Sequence, residues 1–303
     1  MKPTAYIWKN GQLIPWHEAT THVMTHALHY GTGVFEGIRA YQTDSGPAIF
    51  RAQEHFTRLV NSGKIYQMAL PYSAEELIQA TRLLIQENKL QSCYIRPLAY
   101  YGYGAMGLNP GKNPIDTIIA AWEWGSYLGE EGLKAGIRCK MSSWARIDSR
   151  ALPPLAKSTA NYANSALAKM EALSCGFDEA ILLNINGYVS EGPGENIFVI
   201  KDNQLFSPPP SDSALLGITA DSAIQIAKSL GIPFSFRSMI RDELFVADEL
   251  FFTGTAAEVT PIREIDGRVI GSGKRGPITE KIQTKFFEVV QGKTPEFSHW
   301  LTH

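Results

Sequence analysis

Two residues set the chemistry this chain can do. Lys157 stands in the run Leu-Pro-Pro-Leu-Ala-Lys-Ser-Thr-Ala-Asn-Tyr at 152–162, and Glu191 in Tyr-Val-Ser-Glu-Gly-Pro-Gly-Glu-Asn-Ile-Phe at 188–198. Leu155, Ala156 and Ala160 place apolar groups around the lysine. Desolvation of that kind lowers an amine's pKa and favours its neutral, nucleophilic form. Glu191 lies in a glycine-rich turn, where a fixed carboxylate can hold a pyridinium nitrogen. A Schiff-base lysine with an acidic partner is the working pair of pyridoxal 5′-phosphate (PLP) chemistry. Read alone, Lys157 fits a solvated surface charge better, and Glu191 fits an ordinary turn acid.

A phosphate needs its own site. Gly217-Ile218-Thr219 opens a helical pattern, so unpaired backbone N–H groups and the positive end of the helix dipole face outward there. Thr219 is equally an acceptable N-cap. A second small hydroxyl turn, Gly254-Thr255-Ala256, follows an apolar strand and can meet the same anion. Arg58 sits beside Phe56 and Leu59, where a surface ion pair is the simpler reading. Tyr162, five residues after Lys157, reads as a core aromatic unless the lysine immediately precedes a helix.

The elements that must position these groups alternate between strand and helix. Tyr6–Trp8 and Leu13–Ile14 flank Asn10-Gly11, a hairpin signal. Ala48–Phe50 is a short strand leading into a helix through Phe56, Leu59 and Ile65. Ser73 and Glu76 form a capping box ahead of Leu77, Ala80, Thr81, Leu84 and Ile85 at helical spacing. Cys93–Tyr103 and Thr117–Trp124 are strand-like. The later half predicts helices over 159–173 and 219–230, a helix opened by Pro277, a buried strand at Phe251-Phe252, and hairpins turning at Asn186-Gly187 and Asp202-Asn203. The fold class is α+β or mixed α/β, with a mixed sheet favoured over a doubly wound parallel one. The glycine-rich break at 125–132 divides the chain into a smaller domain over 1–125, a connecting loop over 126–134 and a larger domain over 135–303.

Composition narrows the function classes. The chain has 303 residues, 44% hydrophobic and 19% charged, as in an ordinary globular enzyme-sized protein. A net charge of −2 offers no footprint for nucleic acid or anionic lipid. Cys93, Cys139 and Cys175 lack the paired spacing of a zinc site or a disulfide framework. Without an apolar leader or a membrane-length run, the expectation is a cytoplasmic protein.

Six segments together resemble the branched-chain-amino-acid aminotransferases of the fold-type IV PLP enzymes. They are the two runs above, His-Tyr-Gly-Thr-Gly-Val-Phe-Glu-Gly-Ile-Arg at 29–39, Tyr-Ile-Arg-Pro at 94–97, Leu-Leu-Gly-Ile-Thr at 215–219 and Gly-Thr-Ala-Ala-Glu at 254–258. The likeness spans roughly residues 5 to 292, with the motifs in the family's order. It implies the two-domain architecture of D-amino-acid aminotransferase and a role in branched-chain amino-acid biosynthesis. The reaction it implies is amino-group transfer between leucine, isoleucine or valine and 2-oxoglutarate.

By this resemblance Lys157 binds PLP covalently and is the catalytic residue. Glu191 takes the ring nitrogen, Tyr162 the 3′-oxygen, and Leu215 the ring face. Arg58, Ile218, Thr219 and Thr255 take the phosphate. The substrate side comprises Tyr30, Phe35, Gly37, Arg39, Tyr94, Arg96, Trp124 and Tyr127. Within it, Tyr94 and the N–H groups of Thr255 and Ala256 serve the α-carboxylate, and Arg96, helped by Tyr30 and Tyr127, serves the distal carboxylate of glutamate. Leu108 is expected to enter a neighbouring subunit's pocket, making a homodimer the minimum unit. One departure stands out: the family pattern at 217–220 ends in arginine, and this chain has Ala220.

Other readings remain open. One is a different fold-type IV activity, such as a D-amino-acid or (R)-amine aminotransferase or an aminodeoxychorismate lyase, although Val34–Arg39 and Tyr94–Arg96 favour the branched-chain group. Another is a ligand-binding module built on Gly271-Ser-Gly-Lys-Arg-Gly276, which matches G-x-G-x-x-G but lacks a βαβ context and reads as a hairpin loop. His22, His26 and His29 have helical ligand spacing without a completing carboxylate or cysteine, so no metal is expected.

Overall fold

The first strands follow from local turn chemistry. In a computed structural model, which describes residues 2–125 and 129–303 (Glu130 by its backbone only), β1 (Tyr6–Lys9) pairs antiparallel with β2 (Gln12–Pro15). Asn10 and Gly11 between them take φ of 49° and 92°, the conformation a two-residue hairpin demands. A single helical turn, α1 (His26–Tyr30), ends at left-handed Gly31. It is followed by β3 (Gly33–Phe35), β4 (Ile38–Thr43), β5 (Gly46–Phe50), α2 (Ala52–Ile65), α3 (Ala74–Glu87), β6 (Cys93–Tyr101) and β7 (Ile115–Trp122).

The expected capping box is formed. The Ser73 hydroxyl accepts from the Glu76 N–H while the Glu76 carboxylate accepts from the Ser73 N–H, and Leu77, Ala80, Thr81, Leu84 and Ile85 of α3 are buried. The expected helix through Phe56, Leu59 and Ile65 is α2, which ends at Ile65. That residue is exposed at the last turn, whereas Phe56 and Leu59 reach the core. The sheet runs β5-β4-β6-β7-β1-β2 with β3 also on β6, all antiparallel. Its core joins Val34, Ile38, Ile95 and Ile119 to Phe56, Leu59, Leu77 and Leu84.

The later elements are α4 (Gly129–Ala135), β8 (Ile137–Met141), α5 (Asn161–Ser174), β9 (Glu179–Ile181), β10 (Asn196–Lys201), β11 (Gln204–Ser207), α6 (Ile218–Ser229), β12 (Phe234–Phe236), α7 (Arg241–Phe245), β13 (Glu249–Gly254), β14 (Glu258–Ile265), β15 (Arg268–Val269) and α8 (Pro277–Val290). They build a mixed sheet in the order β12-β11-β10-β13-β14-β8-β9, parallel at β11–β12, β14–β8 and β8–β9. β16 (Leu301–Thr302) closes the chain against β5. The hairpin at Asp202-Asn203 is present, both residues at positive φ. The expected hairpin at Asn186-Gly187 is short: Asn184 N–H donates to the Tyr188 carbonyl and Ser190 N–H to that of Leu182, with Leu183 opposite Val189 between them, while the outward Val189 N–H donates to Met239. The glycine run at 271–276 is the link from the two-residue β15 into α8, not a hairpin loop, and β15 pairs antiparallel with β14, outside any βαβ unit.

By packing, the chain divides into one unit of residues 1–124, 156–160 and 289–303, and a second of 125–155 and 161–288. A single cut near 125 places Lys157 with the later residues. Its backbone instead pairs with β3: Phe35 N–H donates to the Lys157 carbonyl and Thr159 N–H to that of Gly33, both at 2.9 Å. Among the described residues no helix is long and apolar enough to cross a membrane. Burial pushes the Cys93 thiol up to about 12 and that of Cys139 well above its ordinary value, so both are inert strand residues.

Candidate active site

In the first unit the lysine segment is clamped before any side chain is considered. Beyond the two bonds to β3, Lys157 donates its N–H to the Ser62 hydroxyl at 3.1 Å, and the Tyr66 hydroxyl donates to Ser158 Oγ at 2.9 Å. Gly31 and Gly33 permit this approach, since a Cβ on either would press on Ala160 or Thr159. The environment of the amine differs from the sequence expectation. Leu155 is 47% exposed and turned to solvent; Ala156 is buried, and the ring that the Lys157 Nζ faces is Phe35, 5.2 Å from its centroid.

That ring joins the lysine to most of the expected substrate residues. Arg96 lies over Phe35 at 4.9 Å and donates from Nη2 to the Tyr94 hydroxyl at 3.1 Å. Tyr94 packs against Trp122 and Trp124 at 5.2 and 5.1 Å between centroids, and pairs across the sheet with Arg39. Its hydroxyl occupies the space a Cβ on Gly37 would need, which explains the glycine. Phe35, Gly37, Arg39, Tyr94, Arg96 and Trp124 thus form one aromatic, cationic group, with Trp122 as a member the sequence reading missed. The Tyr30 hydroxyl donates to the Met106 carbonyl, and Leu108 is 81% exposed. Tyr127 lies outside the described residues.

Arg58 is held in a way the sequence reading did not foresee. It is no surface pair: its Nε and Nη2 grip both oxygens of buried Glu36 at 2.6 and 2.8 Å, and His55 Nδ1 meets the same carboxylate at 2.8 Å. Burial works to raise the Glu36 pKa, but Arg58 and His55 outweigh it and hold the carboxyl at about 2. Burial pushes the His55 imidazole down against the pull of Glu36. The signal was present in Phe-Glu-Gly at 35–37; nothing in it named the arginine as partner.

The second unit gathers the expected cofactor residues around Asn196, at the start of β10. Its side-chain N–H donates to the Leu215 carbonyl at 2.8 Å, and its amide oxygen fills the space a Cβ on Gly217 would take. Gly217 is thereby the N-cap of α6, and Thr219 is not; Ile218 and Thr219 occupy the first turn with no side chain capping them. The Leu215 N–H donates to Glu191 Oε2 at 2.9 Å, while Arg146 meets Glu191 Oε1 at 2.7 Å. Asn196 also pairs with Thr253, which leads through Gly254 to Thr255 and Ala256. Glu191, Leu215, Ile218, Thr219, Thr255 and Ala256 are therefore linked through one strand end. Tyr162 stands in the first turn of α5, so the lysine segment does precede a helix.

These groups suit a phosphorylated pyridine. Uncapped N–H groups at a helix N-terminus fit a phosphate, and an anchored carboxylate fits a ring nitrogen. In the second unit, Ser190 Oγ and Thr253 Oγ1, beside Glu191 and Gly254 in the chain, are buried without a protein partner among the described residues. The histidines, by contrast, are taken: His26 bonds Thr32 and the Gly107 carbonyl, and His29 the Val23 carbonyl.

With this geometry, the comparison with known proteins is decisive. The family model for class IV amino-transferases matches residues 33–265. This chain belongs to the class IV aminotransferases. The branched-chain-amino-acid aminotransferase of Pseudomonas aeruginosa is 51% identical over 296 residues, covering 98% of this chain and 96% of its own length. The crystal structure of the Escherichia coli branched-chain aminotransferase superposes with a TM-score of 0.97 at 48% identity, covering 99% of each chain. That of the Thermobaculum terrenum enzyme, solved in its PLP-bound holo-form, gives 0.93 at 37% identity, covering 100% of this chain and 99% of its own. Within a class IV aminotransferase fold, then, Lys157 and Glu191 stand on separately anchored segments.

Behind Glu191 this aminotransferase buries a second carboxyl. Glu195 accepts the Gly194 N–H at 2.9 Å, and desolvation followed by the nearby Glu179 pushes its pKa up to about 8. Glu179 is itself buried against Lys169 at 2.7 Å. Unfolded, Glu195 gives up its proton near 4.5; folded, it keeps it to about 8. The folded state therefore binds more protons over that window, and stability falls as pH rises through it. Glu195→Gln has no proton to lose. Its unfolding free energy, measured in urea at about pH 5.5 and pH 8.5, is expected to fall less than the wild type's; equal losses would show that Glu195 is ionised in the folded protein throughout.

Proposed function

We propose that this chain transfers the amino group between branched-chain L-amino acids and 2-oxoglutarate with PLP as cofactor. The reading is supported by relatives of that name at about half identity, and by one observation above the rest. Arg96 lies against Phe35 and Tyr94, and Tyr94 in turn packs on Trp122 and Trp124. An aromatic wall suits an aliphatic side chain and a guanidinium suits a carboxylate, so one pocket can accept leucine and glutamate in turn.

When bound, PLP supplies the electron sink for the pair released as the substrate Cα–H bond breaks. Lys157 carries the cofactor in the resting enzyme; once displaced, its amine moves the proton between the substrate Cα and C4′. Glu191 faces the ring nitrogen, Tyr162 the 3′-oxygen, and Leu215 the ring. Arg58, Ile218, Thr219 and Thr255 hold the phosphate. Tyr94 and the N–H groups of Thr255 and Ala256 orient the α-carboxylate, while Phe35, Gly37, Arg39, Trp124, Tyr30 and Tyr127 shape the side-chain pocket with Arg96. The exposed Leu108 supports a homodimer in which that side chain reaches a neighbouring subunit, and a cytoplasmic location fits amino-acid biosynthesis.

Lys157→Ala is expected to fold, to lose transamination, and to let borohydride release the cofactor instead of fixing it to the protein. Normal turnover by this variant would remove Lys157 from the site. The dual-pocket reading is tested by Arg96→Leu. A charged hydrogen bond to a carboxylate is worth ~1.5–3 kcal/mol, so kcat/KM for glutamate should fall roughly 10- to 150-fold while that for leucine changes little. Parallel losses would make Arg96 a structural residue.

A further inference from the structure

Glu191 and Glu195 stand four residues apart in one turn, yet their surroundings differ in sign. Glu195 is enclosed by its own loop: it accepts the Gly194 N–H, and a Cβ on Gly192 would meet its Oε2. Among the described residues no cation forms an ion pair with it. Glu191, equally shielded from water, has the guanidinium of Arg146 in contact at 2.7 Å; the two side chains are 6% and 5% exposed. Arg146 is itself fixed. Its backbone N–H donates to the Leu183 carbonyl at 2.7 Å, and its Nη1 donates to Ser165 Oγ at 3.1 Å and Asn164 Oδ1 at 3.3 Å, both on α5. Nothing in the sequence reading singled it out.

We infer that Arg146 is a positioning residue for transamination: it holds Glu191 ionised and oriented, so that the proton shared between that carboxylate and a bound pyridine resides on the ring nitrogen. The inference rests on Glu191 being the ring-nitrogen partner. A proton shared between a carboxylate and a pyridine has two resting places. Inside a dry site the neutral pair, carboxylic acid and pyridine, is favoured because it carries no charge. A cation in contact with the carboxylate lies closer to the negative partner than to the positive one, and tips the balance to the ionic pair. Only the ionic pair leaves the ring electron-poor enough to accept the Cα electrons. Glu195 supplies the contrast: the same residue type, buried in the same turn without a cation in contact, keeps its own proton up to about 8. Two carboxyls set apart by their neighbours is the pattern by which one fold assigns opposite protonation states.

The test uses holoenzyme reconstituted with PLP labelled with ¹⁵N in the ring, comparing wild type, Arg146→Met, Arg146→Lys and Glu191→Gln. The wild-type ring nitrogen should resonate as a pyridinium. Arg146→Met should move it toward the neutral pyridine position and lower kcat ~10- to 100-fold, below the full ~10²–10³ carried by a group that acts directly. Arg146→Lys restores the charge and should return both the resonance and most of the rate. The outcomes separate the two claims. If Glu191→Gln leaves the resonance unmoved, Glu191 is not the ring's partner and the underlying assignment fails. If Glu191→Gln moves it but Arg146→Met, folded by circular dichroism, does not, the role of Arg146 is overturned and that assignment stands. A rate loss in Arg146→Met with an unchanged resonance would mark Arg146 as merely structural.

Discussion

The antiparallel patch between β3 and the lysine segment is the constraint on which the first unit's chemistry depends. Lys157 lies in no helix or strand of its own, and a loop lysine has many rotamers and a mobile backbone. Here the backbone is fixed at three points, by Phe35, Gly33 and Ser62. β3 is in turn bonded to β6, which carries Tyr94 and Arg96. One short strand therefore sets the distance between the nucleophile and the groups proposed to read the substrate side chain. Catalytic loops gain precision when a rigid scaffold positions them, and this arrangement achieves it by hydrogen bonds to the backbone of the segment.

In the second unit the organising element is a single side-chain amide. Asn196 holds the Leu215 carbonyl and crowds Gly217, the cap of α6, at once. Using Gly217 as N-cap matters chemically. A serine or aspartate there would turn its own oxygen onto the first-turn N–H groups and compete with any incoming anion. The site thus forgoes a capping contribution of about 1 kcal/mol and keeps its donors for a ligand. Buried charges follow the same logic. Arg58 and His55 hold the Glu36 carboxyl low against its burial, whereas at Glu195, which has no cation in contact among the described residues, burial and the nearby Glu179 push the pKa up.

Much of this was legible in the sequence because local rules were sufficient. The capping box at Ser73, the left-handed pair Asn10-Gly11 and the helix behind Gly217 are written within a few residues, and the structure repeats them. The partners of Lys157 and Arg58 were not legible, because they come from elements 95 and 22 residues away. Apolar neighbours along the chain suggested that Leu155 shields the lysine, yet in an irregular segment adjacent side chains need not share a side, and Leu155 points to solvent. Arg146 carried no motif at all. Only the fold brings the loop after β8 against the turn that holds Glu191.

The substitution of alanine for the family's usual arginine at 220 can be judged by the same reasoning. Ala220 is buried in the first turn of α6, and its Cβ would lie 3.2 Å from any Cβ placed on Gly217. What an arginine would lend the phosphate is charge, and α6 already offers the dipole of a 12-residue helix through N–H groups that no side chain caps. Those donors belong to the backbone of Ile218 and Thr219 and do not change with residue 220. Under the proposed phosphate assignment, the departure would alter how much charge surrounds the anion without removing the N–H donors of Ile218 and Thr219.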